Sequence, residues 1–210
     1  MTQRDVQIAV FAKPPVAGRA KTRLIPALGP EGAAQLHATL VARTLEMAVA
    51  ADIGPVTLWC ADDTGHPLFD HLATRLGLER RQQRGSNLGE RMFHAFEHHC
   101  PAGPLILIGT DCPALEGKTL AQAAQTLRTH DAVFVPAEDG GYVLTGFNRP
   151  ERSAFQNVPW GGPEVMARTR RQLQGAAVRW AELDAHWDLD RPEDLPRFLA
   201  LTHAKLPLTT

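Results

Sequence analysis

The chain has 210 residues, 44% hydrophobic and 21% charged, with 22 basic against 23 acidic side chains and a net charge of −1. That is the makeup of an ordinary globular α/β-sized domain, and so balanced a charge offers no field to hold nucleic acid or an anionic membrane. No apolar run approaches the roughly 18 residues of a membrane helix, and the apolar stretch near the N-terminus stops at Lys13 and two prolines with no A-x-A cleavage site, so a single domain spanning residues 1–210 in the cytoplasm is expected.

In chain order, Val6–Phe11 reads as a compact apolar strand, of the kind buried on both faces. A helix over Glu31–Ala51 opens after Gly29-Pro30 and carries Leu36, Leu40, Leu45 and Val49 near helical spacing. Strand Val56–Cys60, helix Pro67–Leu76, helix Leu88–His99, strand Leu105–Ile108, helix Lys118–Thr129 and strand Ala132–Val135 follow. This alternation predicts a three-layer α/β/α fold around a mixed, mainly parallel, doubly wound sheet. Tyr142–Phe147 reads as a further strand, and the turn before it, Glu138-Asp139-Gly140-Gly141, is too short for a parallel crossover, so it is expected antiparallel. Helix Gly161–Gln174, strand Val178–Leu183 and helix Pro192–Ala204 close the chain.

In an open α/β sheet, ligands sit beyond the carboxyl ends of the strands. Four polar segments fall there. The first, Phe11 to Leu24, places Lys13, Arg19, Lys21 and Arg23 around a Pro/Gly turn at Gly18, followed by Thr22 in the Lys-Thr-Arg run. Clustered cations suit a phosphate chain, with arginine forks binding oxygens in pairs and lysine acting as a point charge; a solvated basic loop is the plainer alternative. Ala20 stands where a Walker A loop needs glycine, so that motif is excluded. The second segment, Gly109-Thr110-Asp111-Cys112-Pro113, puts a carboxylate directly off an apolar strand, where it would bind a hard cation or cap the next helix. The third, Pro136 to Tyr142, is either a hairpin turn or a place where backbone closes on a ligand through Gly140 and Gly141. In the fourth, Asp188 to Leu195, Pro192, Glu193 and Asp194 suit a helix start, which leaves Asp188 and Asp190 free to face the same cation as Asp111.

Other features read as structural. His94-Ala95-Phe96-Glu97-His98 spells an inverted zinc-protease motif, yet no third ligand is marked and Met92, Phe93 and Phe96 serve packing. The cysteines Cys60, Cys100 and Cys112 are odd in number and without C-x-x-C spacing, so neither a disulfide framework nor a structural zinc is expected. Cys112 has no histidine paired with it by sequence and reads as a small packing residue rather than a nucleophile.

Together and in this order, the F-x-K-x-P-x-x-G-x-x-K-T-R-L, G-[ST]-D-C-P, P-A-x-D-G-G-Y and D-x-D-x-P-E-D-L segments resemble the nucleotide-diphospho-sugar transferase superfamily, the GT-A fold. More closely, the chain resembles the bacterial radical-SAM/selenodomain-associated transferase 1 family, also called DUF2064, which is related to phospholactate guanylyltransferase and to molybdenum-cofactor nucleotidyltransferases. The resemblance runs from Phe11 to Leu195. It implies that Lys13, Gly18, Arg19, Lys21, Thr22 and Arg23 hold the donor's phosphates, and that Asp111 and Asp190, with Asp188 beside them, hold Mg²⁺ or Mn²⁺. Gln83-Arg84-Gly85 stands where related nucleotidyltransferases read the base. The first loop departs from the glycine-dense G-x-G-T-R form of sugar nucleotidyltransferases, so its grip on phosphate is expected to differ.

The expected activity is therefore metal-dependent transfer from a nucleotide donor to a small molecule. Asp111 and Lys21 would be catalytic, and Asp139 would orient or deprotonate the acceptor. Gly140, Gly141, Tyr142 and Trp160 would line the acceptor's side. Nucleotidyl transfer to a phosphorylated or acidic acceptor is the first reading, transfer from an NDP-sugar the second, and a non-catalytic nucleotide-binding module the third. The oligomeric state stays open, a homo-oligomer included.

Overall fold

A computed structural model describes residues 6–62 and 64–202, so positions 203 and 204 of the expected last helix lie outside the described residues. The strands are β1 (Gln7–Ala12), β2 (Val56–Cys60), β3 (Glu79–Gln82), β4 (Leu105–Ile108), β5 (Ala132–Pro136), β6 (Tyr142–Phe147) and β7 (Trp180–Glu182). The helices are α1 (Ile25–Ala50), α2 (Pro67–Leu76), α3 (Leu88–His99), α4 (Gly117–Thr126), α5 (Val165–Gly175) and α6 (Leu195–Thr202). The strands form one sheet in the order β3-β2-β1-β4-β6-β5-β7. Only β6 runs against its neighbours, β4 and β5; every other pairing is parallel. The tight turn at 137–141 forces that reversal, as its length requires.

Alternate residues of the central strands feed two faces. Ile8, Val10, Leu58, Ile106 and Ile108 pack under α1, α2 and α4. On the opposite face Phe11, Trp59, Leu107, Phe134 and Phe147 pack under α3 and α5. The result is the three-layer α/β/α architecture that strands covered on both sides demand.

A third cluster matters most for the site. Leu24, Leu28, Leu36 and Leu40, from the end of the basic loop and α1, close on Trp187, Leu189, Leu195 and Phe198. Leu189 is completely buried. Burying it pins its flanking Asp188 and Asp190 against the start of α1.

Several boundaries shift for identifiable reasons. Gly29, at φ 69° and ψ 168°, breaks α1 just before Pro30, so the long helix proper begins where its sequence suggests, preceded by an extra turn from Ile25. β3 is an edge strand of Glu-Arg-Arg-Gln, mostly exposed and without apolar alternation, and sequence pattern misses it. α5 starts at Val165 rather than Gly161, because Gly161 sits at φ +83°. α4 ends at Thr126, β7 is trimmed to Trp180–Glu182, and a 3-10 turn at Arg152–Phe155 lies unforeseen between β6 and α5.

Candidate functional site

The carboxyl ends of β1 and β4, the β5–β6 turn and the segment before α6 converge on one cleft of about 720 Å³. Every sequence-selected polar side chain lines it: Lys13, Arg19, Lys21, Thr22, Arg23, Gln83, Asp111, Asp139, Asp188 and Asp190. Gly141, Tyr142 and Trp160 do as well. Gly18, Gly85 and Gly140 are not among its lining residues.

The basic loop leaves β1 at Ala12 and folds back on itself, with Arg19 and Ala20 N–H both bonded to the Val16 carbonyl at 3.0 and 2.9 Å. Gly18 supplies a positive φ of 76° in this turn, and Lys21 takes the left-handed conformation at φ 46° before a 3-10 turn at Thr22–Leu24. A non-glycine residue in that region is uncommon and is held by its surroundings.

Those surroundings are acidic. Lys21 Nζ lies 2.6 Å from Asp111 Oδ1 and 2.8 Å from Asp190 Oδ1, and donates to the Leu189 carbonyl at 2.6 Å. The lysine side chain is only 5% exposed. Leu189 N–H in turn donates to the Asp111 carbonyl at 2.8 Å, which ties the end of β4 to the 188–190 segment by backbone. Burial pulls the Lys21 pKa down, but the two carboxylates outweigh it and leave it above the usual lysine value. Desolvation pushes Asp111 up, and the Lys21 ammonium overrides that and holds the carboxyl below its usual range. Asp188 is different: burial, reinforced by Asp111, Asp190 and Asp139, pushes it up to about 7. The cluster therefore carries more carboxyl groups than its one buried ammonium neutralises.

This oxygen-rich, negatively charged set suits a hard divalent cation. Asp111 Oδ1 is covered and meets the Lys21 ammonium at 2.6 Å, while the rest of its carboxylate opens into the cleft. Among the described residues, no three of His, Cys, Asp and Glu are gathered as a metal cage, and the Lys21 ammonium stands between Asp111 and Asp190.

The third segment is a built turn. Asp139 Oδ1 accepts the Gly141 N–H at 2.9 Å, so one carboxylate oxygen is spent on the turn while the residue still reaches the cleft. Gly140, at φ +92°, backs directly onto the Pro163 carbonyl, where a Cβ has no room. Glu138 turns away and binds Arg197 in a two-pronged pair at 2.8 and 3.0 Å.

On the far wall, Gln83 Nε2 donates to the Trp59 carbonyl at 2.9 Å, which leaves its amide oxygen for the cleft. Gly85 packs against Glu90 and Arg91 at the start of α3, closer than a side chain permits. Asn87 caps α3 by accepting from Glu90 N–H at 3.0 Å.

Three lining residues carry signals that the sequence pattern does not isolate. His37 on α1 is 5% exposed, and its Nε2 stands 3.0 Å from the Lys13 carbonyl. Burial, partly opposed by Asp111, lowers its pKa, so the ring is neutral and Nε2–H donates. Arg91 reaches the cleft from α3 with its Nε on the Gly85 carbonyl at 3.2 Å. Thr145 on β6 is fully buried with an unpaired hydroxyl. A lone histidine, arginine or threonine inside an element looks the same in sequence whether or not it faces a cleft.

His94 and His98 present their rings edge-on to Trp59 at centroid distances of 5.6 and 5.9 Å. Cys60, Cys100 and Cys112 are buried, and none is in a disulfide. Burial, with Asp188 nearby, pushes the Cys112 thiol up to about 12, which favours the protonated form.

The family model described as "Uncharacterized protein conserved in bacteria (DUF2064)" matches residues 44–162. No curated protein matches. Among solved structures, a Desulfovibrio desulfuricans G20 protein, provisionally named a nucleotide-diphospho-sugar transferase, superposes with a TM-score of 0.84 at 27% identity, covering 95% of this chain and 90% of that one. A 4-diphosphocytidyl-2C-methyl-D-erythritol synthase from Anaerococcus prevotii DSM 20548 gives 0.63 at 10% identity over 96% and 99% of the two chains. Glucosyl-3-phosphoglycerate synthase from Mycobacterium tuberculosis, solved with Mn²⁺, uridine diphosphate and glucosyl-3-phosphoglycerate, gives 0.54 at 9% identity over 99% and 81%. At the last two identities the likeness is one of fold.

Proposed function

The chain belongs to the DUF2064 family of bacterial proteins, and from that premise we propose that it is a metal-dependent transferase acting on a nucleotide donor, with nucleotidyl transfer to a small phosphorylated or acidic acceptor as its reaction. One observation carries the reading: a phosphate-sized set of cations, Lys13, Arg19, Lys21 and Arg23, lines the same cleft as the carboxylates Asp111, Asp139, Asp188 and Asp190. The names of the similar structures, a nucleotide-diphospho-sugar transferase and a diphosphocytidyl synthase, support a nucleotide donor.

In this reading Arg19 and Arg23 bind phosphate oxygens in pairs and Lys13 adds a point charge, so the donor's triphosphate lies along the loop. Gln83 offers its amide oxygen to the base. Asp111 and Asp190, with Asp188 beside them, would hold Mg²⁺ or Mn²⁺, which when bound supplies Lewis-acid stabilisation of the charge on the leaving group, an effect of several kcal/mol. Asp139 orients the acceptor, or takes its proton where the attacking oxygen still carries one, through the carboxylate oxygen that the Gly141 N–H does not occupy. The acceptor oxygen then attacks the α-phosphorus, a new P–O bond forms, and the bond to pyrophosphate breaks. Tyr142 and Trp160 wall the acceptor's side and keep water from competing.

Glycosyl transfer is the second reading, favoured by the nucleotide-diphospho-sugar name of the 27%-identical structure. There the acceptor attacks the sugar and a nucleoside diphosphate leaves. The two separate by product: each NTP or NDP-sugar is incubated with Mg²⁺ and a pool of phosphorylated and acidic small molecules, and pyrophosphate or nucleoside diphosphate is quantified. Pyrophosphate release that falls at least 100-fold in Asp111→Asn is the expected result. Near-native turnover of D111N at saturating Mg²⁺ contradicts the mechanism.

A further inference from the structure

The Lys21 ammonium has three protons, and the protein surrounds it with three oxygens: Asp111 Oδ1 at 2.6 Å, Asp190 Oδ1 at 2.8 Å and the Leu189 carbonyl at 2.6 Å. Two carboxylates and a backbone carbonyl are the donor set of a hard-cation seat rather than of an ordinary surface ion pair. The seat is rigidly made. Leu189 is completely buried, its N–H is bonded to the Asp111 carbonyl at 2.8 Å, and Lys21 is held in a left-handed backbone conformation that places its side chain inward at 5% exposure. Arg23, two residues on, is the contrasting case: it approaches Asp190 Oδ2 only at 3.6 Å and is 62% exposed.

We propose that Lys21 is a built-in counter-cation that occupies the seat between Asp111 and Asp190 and must be displaced from it by the divalent cation. A divalent ion and the ammonium cannot share those oxygens, so loading the site releases Lys21 into the cleft, alongside Arg19 and Arg23, where a phosphate can receive it. Metal and lysine are thus in direct exchange, and the protein alone binds the metal weakly because each binding event breaks a three-contact ion pair. The inference rests on the reading of this cleft as a metal-using nucleotide site.

The test is Mn²⁺ binding to the full chain, followed by electron paramagnetic resonance of the free ion, in wild type, Lys21→Met and Arg23→Met. Both substitutions remove one positive charge from the same loop, so R23M controls for net charge, while the labelling of Lys21 below separates displacement from the stronger field of the closer, buried ammonium. Direct exchange requires K21M to bind Mn²⁺ at least tenfold more tightly than wild type, with R23M within about threefold of it. A second readout uses wild type only: amine labelling with fluorodinitrobenzene, mapped by mass spectrometry. Lys21 labels slowly relative to exposed Lys118, and saturating Mn²⁺ raises its relative rate several-fold. This measurement decides the matter if K21M does not fold. Equal gains in K21M and R23M, no gain in K21M, or Lys21 labelling indifferent to Mn²⁺ overturns the exchange. If no variant binds Mn²⁺ but an NTP still binds in EDTA, the exchange is wrong and the nucleotide reading survives; if no nucleotide binds either, both fall.

Discussion

The His37 ring on α1 donates from Nε2 to the backbone carbonyl of Lys13, 3.0 Å away, and so fastens the first residue of the basic loop to the longest helix. The neutral state of the buried ring makes this a one-directional bond, with Nδ1 left unpaired. His37→Phe keeps the volume and removes the donor. A typical hydrogen bond contributes about 0.5–1.5 kcal/mol, so the donor-nucleotide Kd is expected to rise about 3–10-fold, measured by calorimetry. Unchanged affinity would show that the loop needs no anchor there.

Gly140 carries a stability prediction. Its φ of +92° and the Pro163 carbonyl behind it leave no place for a Cβ, and its own carbonyl accepts the Met166 N–H at 2.8 Å, which sets the start of α5. Gly140→Ala combines backbone strain with overpacking and costs about 2–4 kcal/mol. For a chain of this length that lowers Tm by roughly 4–16 °C. Gly161→Ala, also at positive φ but with nothing within 4 Å, serves as the comparison and shifts Tm less.

Acid stability turns on His99. Its Nε2 accepts from Trp59 Nε1 at 3.2 Å and its Nδ1 faces Gln7 Oε1 at 2.8 Å, an arrangement for a neutral ring. Burial, helped by His98 and Arg81, lowers its pKa to about 4. The unfolded histidine titrates near 6.5. As pH falls below 6.5 the unfolded state takes up the proton first, so stability is full above about 6.5 and declines until about 4. Urea denaturation at pH 7.5 and 4.5 is expected to show about 2 kcal/mol more loss in wild type than in His99→Gln. Equal losses would show that His99 does not govern acid stability.

The layered fold was legible because its signals are local. Ile8, Leu58, Ile106 and Val133 lie in short apolar runs that only a strand covered on both faces explains, and the six residues between Val135 and Tyr142 cannot carry a parallel crossover. β3 escaped because an exposed Glu-Arg-Arg-Gln edge strand buries nothing that leaves a period. The site was legible as segments, since Asp111, Asp139 and Asp190 stand in unusual loops at strand ends. What the segments do to one another was not. The pairing of Lys21 with Asp111 and Asp190 spans 90 and 169 positions and depends on the burial of Leu189. His37, Arg91 and Thr145 sit within regular elements, where nothing in the pattern separates a cleft-facing side chain from a packed or solvated one.

In the proposed reading this cleft binds a nucleotide donor together with a divalent cation. Thermal denaturation with each NTP and several NDP-sugars, in Mg²⁺ and in EDTA, tests it most directly. A ligand at a hundred times its Kd stabilises by about 2.7 kcal/mol, which raises Tm by about 5–10 °C in a chain of this size. Such a rise is expected for one NTP in Mg²⁺ and shrinks in EDTA, with a larger rise for an NDP-sugar turning the reaction towards glycosyl transfer. No rise with any nucleotide, with or without Mg²⁺, would contradict it.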